Sequence, residues 1–328
     1  HSLTPPVLLG NLFHVHSTAL MGTTDHSSAT RCHPPGGPCP GPAPANPAPH
    51  PGRPRPCQGS DNCPVSAADR WASALAQWAI PGPILAQAEQ SPWELNPTSF
   101  AETAHLALAS APTPTHLRAL AQLPPGGSVL DVGAGAGAAS LPLATTAGEI
   151  VAVDRSAAML EELLVVADGG SRVRTVVGDW PQAAALVVPA DVVVCANVAY
   201  NVAALGDFVA ALTTRARRRV VLELTARHPQ QSLNWLWDHF WQLSRPVAPT
   251  AEEALAVVEE RLGFAVGQER WRRPPLRGGR ADPMSVAAIR RRLCLTAKSD
   301  PEIAHLLRAR SASDPIEMVT LWWPGSAK

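Results

Sequence analysis

The sequence predicts an α/β fold: a mostly parallel sheet with helices on both faces. Three observations carry that expectation. Five short apolar runs alternate with helical patterns between residues 125 and 225. The runs are apolar at nearly every position, as strands covered on both faces must be. A glycine-rich turn, Gly133-Ala-Gly-Ala-Gly137, follows the first run directly.

The elements follow in order. Residues 66–91 read as helix in two pieces, split by Pro81-Gly82-Pro83, with Ser66 as N-cap and Trp71, Leu75 and Trp78 at helical spacing. Further helices are expected over 97–108 and 113–123, then a strand over 128–132. A helix is expected after the glycine turn, ending before Gly148. Strands over 150–153, 172–177, 191–195 and 219–224 then alternate with helices over 157–167, 181–186 and 205–215. Beyond 225 the alternation changes. A Trp-rich helix over 232–243 and an amphipathic one over 251–262 precede a strand near 264–270. A helical insert over 285–310 and a last strand over 317–323 complete the pattern.

Composition sets the outer limits. The chain has 328 residues, long enough to bury a full core, and its 27 basic residues balance 27 acidic ones. Neutrality argues against global capture by nucleic acid or an anionic membrane. No apolar run approaches the ~18 residues of a membrane span. Twelve of the 34 positions from 31 to 64 are proline, too many for helix or sheet, so residues 1–64 read as a disordered Pro-rich tail. Four of the six cysteines, Cys32, Cys39, Cys57 and Cys63, sit in that tail at spacings unlike a zinc or redox pair. Cys195 and Cys294 read as buried small hydrophobes, and a reducing cytoplasmic setting is expected, with no metal site. Basic residues are almost all Arg, with Lys only at Lys298 and Lys328, a bias typical of GC-rich coding.

The chemistry is concentrated at three strand ends. Glycines between a strand and a helix let a ligand approach backbone N–H groups closely, with the helix dipole behind them. Asp154 ends the second strand, where an acid can accept both hydroxyls of a ribose. Asp179, in Val177-Gly-Asp-Trp180, ends the third. The same loop also satisfies G-x-G-x-x-A of a dinucleotide site, so an NAD(P)-dependent oxidoreductase is the competing enzyme. Asp131, just before the loop, has no place in that fingerprint.

The run Asp131-Val-Gly-Ala-Gly-Ala-Gly137, the segment Val153-Asp-Arg-Ser-Ala-Ala-Met159, Gly178-Asp179 and Ala190-Asp-Val-Val-Val-Cys-Ala-Asn197 resemble the successive motifs of class I S-adenosylmethionine-dependent methyltransferases. The similarity runs over about 115–225 and is to the generic small-molecule branch of actinobacterial type. It implies a Rossmann-like, seven-stranded sheet closed by an antiparallel hairpin, with an N-terminal helical cap and a helical insert before the last strand. It divides the enzyme domain, 65–328, into N-terminal helices (65–124), a cofactor half (125–225) and substrate-side helices with closing strands (226–328). It implies that Asp131 and the backbone at Gly133, Gly135 and Gly137 hold the methionine end of S-adenosylmethionine. Asp154 would take the ribose, Arg155, Met159, Asp179 and Trp180 the adenine, and Ala196 and Asn197 would lie beside the sulfonium.

Methyl transfer needs alignment and, for some acceptors, a base. Tyr200, the only tyrosine, follows the fourth strand and could face the sulfonium cation or simply pack there. Glu223, His228, Asp238 and His239 are base candidates after the fifth strand, with a solvent-facing loop the plainer reading of His228. Trp237 and Trp241 share a helix face, as core or as a lid over an apolar acceptor. Between 261 and 310, eleven Arg and Lys298 outnumber four acids, which raises an RNA acceptor beside a solvated helical face. The expected partner is a small-molecule methyl acceptor. A cofactor-binding regulator without turnover is the other alternative.

Overall fold

The computed structural model describes residues 65–169, 172–273, 283–310 and 315–328. The expected tail, 1–64, and its cysteines lie outside the described residues.

Seven strands form one sheet: β1 (Ser128–Val132), β2 (Glu149–Asp154), β3 (Val173–Val177), β4 (Ala190–Ala196), β5 (Ala216–Thr225), β6 (Gly267–Arg273) and β7 (Ile316–Pro324). Their spatial order is β3-β2-β1-β4-β5-β7-β6. The first five are parallel, and β7 runs antiparallel between β5 and β6. The helices are α1 (Ala67–Ala76), α2 (Gly82–Leu85), α3 (Pro97–Ala109), α4 (Pro114–Leu120), α5 (Ala157–Ala167), α6 (Leu205–Arg215), α7 (Asn234–Trp241), α8 (Ala251–Leu262), α9 (Pro283–Arg292) and α10 (Asp300–Ala309). Among the described residues, no helix is long and apolar enough to cross a membrane.

Alternation along the central strands builds two cores. Leu130, Val132, Val151, Val153, Val193 and Val220 pack with Trp71, Phe208, Leu212 and Val257 on one face. Val129, Ile150, Ala152, Val192, Val194 and Val221 pack with Ala101, Ala104, Leu160 and Leu163 on the other. A third apolar cluster joins Ile80, Leu236 and Trp237 to Val286, Ile289, Leu293, Ile303 and Leu307. The Trp-rich helix and the helical insert therefore pack on each other.

Ser66 caps α1 as expected, its hydroxyl accepting from the Asp69 N–H. One expectation fails at a functional point. No α-helix follows the glycine turn; Leu141–Leu143 form a single 3-10 turn instead. Pro142 has no N–H for an i−4 bond, and its ring would crowd the carbonyl of Ala138. That carbonyl is taken by the buried His116 imidazole of α4, Nε2 to O 3.2 Å. The segment over 181–186 is likewise 3-10 rather than α. The Trp-rich helix starts as a 3-10 turn, Pro229–Leu233, and the expected helical insert is built of two helices, α9 and α10.

Candidate active site

The parallel order reverses between β1 and β4, and the crevice outside their carboxyl ends is where open α/β sheets bind ligands. Strand β1 delivers Asp131 there, and the chain then turns through Gly133, Gly135 and Gly137 at φ 69°, 52° and 90°. Only glycine adopts three such left-handed positions without strain. Val198 lies where a side chain on Gly133 would go, and Phe100 of α3 sits 3.1 Å from the position of a Cβ on Gly135.

Four of the loop's amides are taken by the protein itself. The N–H groups of Gly133 and Ala134 both donate to the Val153 carbonyl, at 2.8 and 3.0 Å. Gly135 N–H donates to Asp154 Oδ2 at 2.9 Å, and Gly137 N–H to the Ala134 carbonyl. The expectation of free amides backed by a helix dipole is therefore replaced by a loop pinned to the end of β2. Asp154 is pinned in turn, because its Oδ1 accepts from Ser156 N–H at 2.9 Å. The two bonds orient a half-buried carboxylate that keeps further lone pairs for hydroxyl donors.

Asp131 is the opposite case. It is fully buried, and neither carboxylate oxygen has a hydrogen-bond partner. Burial pushes its pKa up to about 7; the nearby Ser140 hydroxyl partly offsets this and the Asp154 charge adds to it. A carboxylate so placed invites a cationic partner. Further along β2, Arg155 is exposed and Met159 buried. Asp179 is exposed beyond β3, and Trp180 is half-buried with its indole N–H unpaired.

Ala196 ends β4, and Asn197 follows at φ 59°, a left-handed conformation that asparagine tolerates better than most residues. Its Nδ2 donates to Glu223 Oε1 of β5 at 3.0 Å. Glu223 Oε2 accepts from the Thr115 hydroxyl of α4 at 2.6 Å. Thr115 meets Thr320 of β7 at 2.7 Å, and Thr320 accepts from the Trp271 indole N–H of β6 at 3.0 Å. The base candidate Glu223 is thus hydrogen-bonded at both oxygens. Thr115, Thr320 and Trp271 carry no local sequence signal; their spacing in the chain reaches 205 residues.

Tyr200 and His228 come together behind this point. Tyr200 is buried, donates its hydroxyl to the Thr225 carbonyl at 2.8 Å, and stacks on Trp71 at 5.5 Å. Burial raises its phenol well above the ordinary range. His228 is only 4% exposed, which corrects the solvent-facing expectation. Its ring stacks on Trp78 at 3.8 Å and meets Tyr200 edge-on at 5.1 Å. Burial, with a smaller push from Arg245, lowers its pKa to about 3, so the imidazole is neutral. Asp238 and His239 are exposed, with His239 paired to Glu302 at 2.8 Å. Trp237 is core, and the Trp241 indole donates to the Leu293 carbonyl.

The Arg290-Arg-Arg292 run is not a solvated face. Arg290 pairs with Asp300 at 2.6 Å, Arg291 donates to the Glu94 carbonyl, and Arg292 is buried.

Residues 129–220 match the family model described as a methyltransferase domain, a span running from β1 into β5. The chain therefore carries a methyltransferase domain of the S-adenosylmethionine-dependent kind. Its cofactor is S-adenosylmethionine. Among solved structures, the magnesium protoporphyrin IX methyltransferase of Synechocystis PCC 6803 is similar at 17% identity, over 70% of this chain and 84% of that one, with a TM-score of 0.43. The YcgJ protein of Bacillus subtilis is similar at 18% identity, over 68% of this chain and all of that one, with a TM-score of 0.44. No curated protein matches the chain.

Proposed function

We propose that this methyltransferase acts on a small or medium organic acceptor, at O, N or C, rather than on RNA. The observation that carries this reading is the fate of the Arg290–Arg292 guanidiniums. An RNA site needs cations free to meet phosphates, and these three are taken by a carboxylate, a carbonyl and the protein interior.

S-adenosylmethionine supplies an electrophilic methyl on a sulfonium, and transfer is an in-line displacement. The chain's own work is placement. Asp131 and the turn at Gly133, Gly135 and Gly137 hold the methionine end, the buried carboxylate gaining the cation that it lacks. Asp154 takes the ribose hydroxyls in the orientation set by Gly135 and Ser156. Arg155, Met159, Asp179 and Trp180 border the adenine, and Ala196 and Asn197 lie beside the sulfonium. Tyr200 and His228 form a rigid aromatic wall, since the phenol is already donated and the imidazole is held neutral. Loss of turnover to a purely regulatory role finds no specific support in this geometry.

The test is to incubate the protein and S-adenosylmethionine labelled on its methyl with fractionated cell extract. Label is expected in the small-molecule fraction. Label confined to RNA or protein would overturn the acceptor class.

A further inference from the structure

The chain of hydrogen bonds behind Asn197 has a direction. An indole N–H can only donate, so Thr320 must accept from Trp271 and is free to donate onward to Thr115. Thr115 then donates to Glu223, and Asn197 donates to the other oxygen. A carboxylate is the one side-chain group of this shape that accepts at both ends. Asn197 therefore has no choice of amide orientation: its NH2 must face Glu223, and Oδ1 is left for a ligand. Oδ1 makes no hydrogen bond among the described residues.

We propose that Glu223 is a positioning residue that fixes the Asn197 carbonyl oxygen toward the sulfonium, making the site favour the cationic cofactor over its neutral thioether product. This rests on the placement of Asn197 beside the sulfonium given above. A carbonyl dipole with its negative end at the sulfonium stabilises a cation and has little hold on an uncharged sulfur. Product release is eased by the same asymmetry.

Glutamine at 223 breaks the directionality. Its NH2 can face Thr115, whose hydroxyl turns to Thr320 and accepts, or it can face Asn197, whose amide must then turn over and put its NH2 at the sulfonium. Glu223→Gln thus unlocks the Asn197 amide without removing any bulk. Asn197→Gly removes the dipole and suits the left-handed φ.

The experiment is calorimetric titration of wild type, both variants and their combination with S-adenosylmethionine and, separately, S-adenosylhomocysteine. Asn197→Gly is expected to weaken the cation about tenfold and the thioether by less than about twofold, the size typical of a hydrogen bond to a charged group, and Glu223→Gln to shift the ratio in the same direction by less. The double variant should match Asn197→Gly alone. Equal weakening of both ligands, or an unchanged ratio, overturns the proposal and leaves Glu223 as a merely structural brace. Should Glu223→Gln fail to fold, an unchanged ratio in Asn197→Gly overturns it alone. Failure of the wild type to bind either ligand would instead remove the reading of the site on which the proposal rests.

Discussion

The glycine-loop region and the aromatic cluster behind it both bury ionisable side chains, with opposite bookkeeping. In the cluster, Tyr200 and His228 each have a hydrogen-bond partner and an aromatic neighbour. At the loop, Asp131 is as deeply buried and its oxygens have no partner. The difference teaches where to look for a ligand. A buried group that the fold satisfies is framework, and one left wanting marks where something else must come.

The comparison can be broken through pH, because the two regions respond with opposite signs. The larger effect belongs to Asp131. Its folded pKa, about 7, lies above the ordinary 3.8, so the folded protein holds a proton that the unfolded chain has released. Stability falls as pH rises through that window and levels off above it. Asp131→Asn does not titrate, so its stability relative to wild type should climb across pH 4 to 7, by roughly 2 kcal/mol after relaxation around a buried charge. Urea denaturation at a series of pH values measures this, and parallel curves for the two proteins would show that Asp131 has a partner after all.

The smaller effect runs the other way. His228 has a folded pKa near 3 against an ordinary 6.5, so the unfolded chain takes up a proton that the folded protein refuses. Stability falls as pH drops from 6.5 toward 3. His228→Phe keeps a ring against Trp78 and loses that dependence, a gain over wild type of about 1 kcal/mol between pH 6.5 and 5. Thermal melts over that range decide it; an unchanged slope would mean that the imidazole reaches water.

Much of this fold was legible because the central strands are buried on both faces. The expected runs at 128–132, 150–153 and 191–195 match β1, β2 and β4 to within a residue at each end. The hairpin of β6 and β7 was placed with less accuracy at its first strand, where the charged run Glu269-Arg-Trp-Arg-Arg273 gives weak apolar pattern. The missing helix after the glycine turn was misread from composition. Alanines between Gly137 and Gly148 favour helix in isolation, but Pro142 and the capture of the Ala138 carbonyl by His116 outweigh them. The acids at strand ends were visible by position. The donor chain from Trp271 to Asn197 was not, since it joins three strands, a helix and the residue after β4 through contacts with no local spacing rule.

The central claim is that the crevice outside β1, β2 and β4 binds S-adenosylmethionine through Asp154. Calorimetric titration of wild type and Asp154→Ala with S-adenosylmethionine and with NADH tests it directly. Wild type is predicted to bind S-adenosylmethionine and not NADH, and Asp154→Ala to weaken that binding by about a hundredfold, as loss of paired hydrogen bonds to a charged group implies. Tighter binding of NADH, or affinity for S-adenosylmethionine unchanged in the variant, would contradict the account.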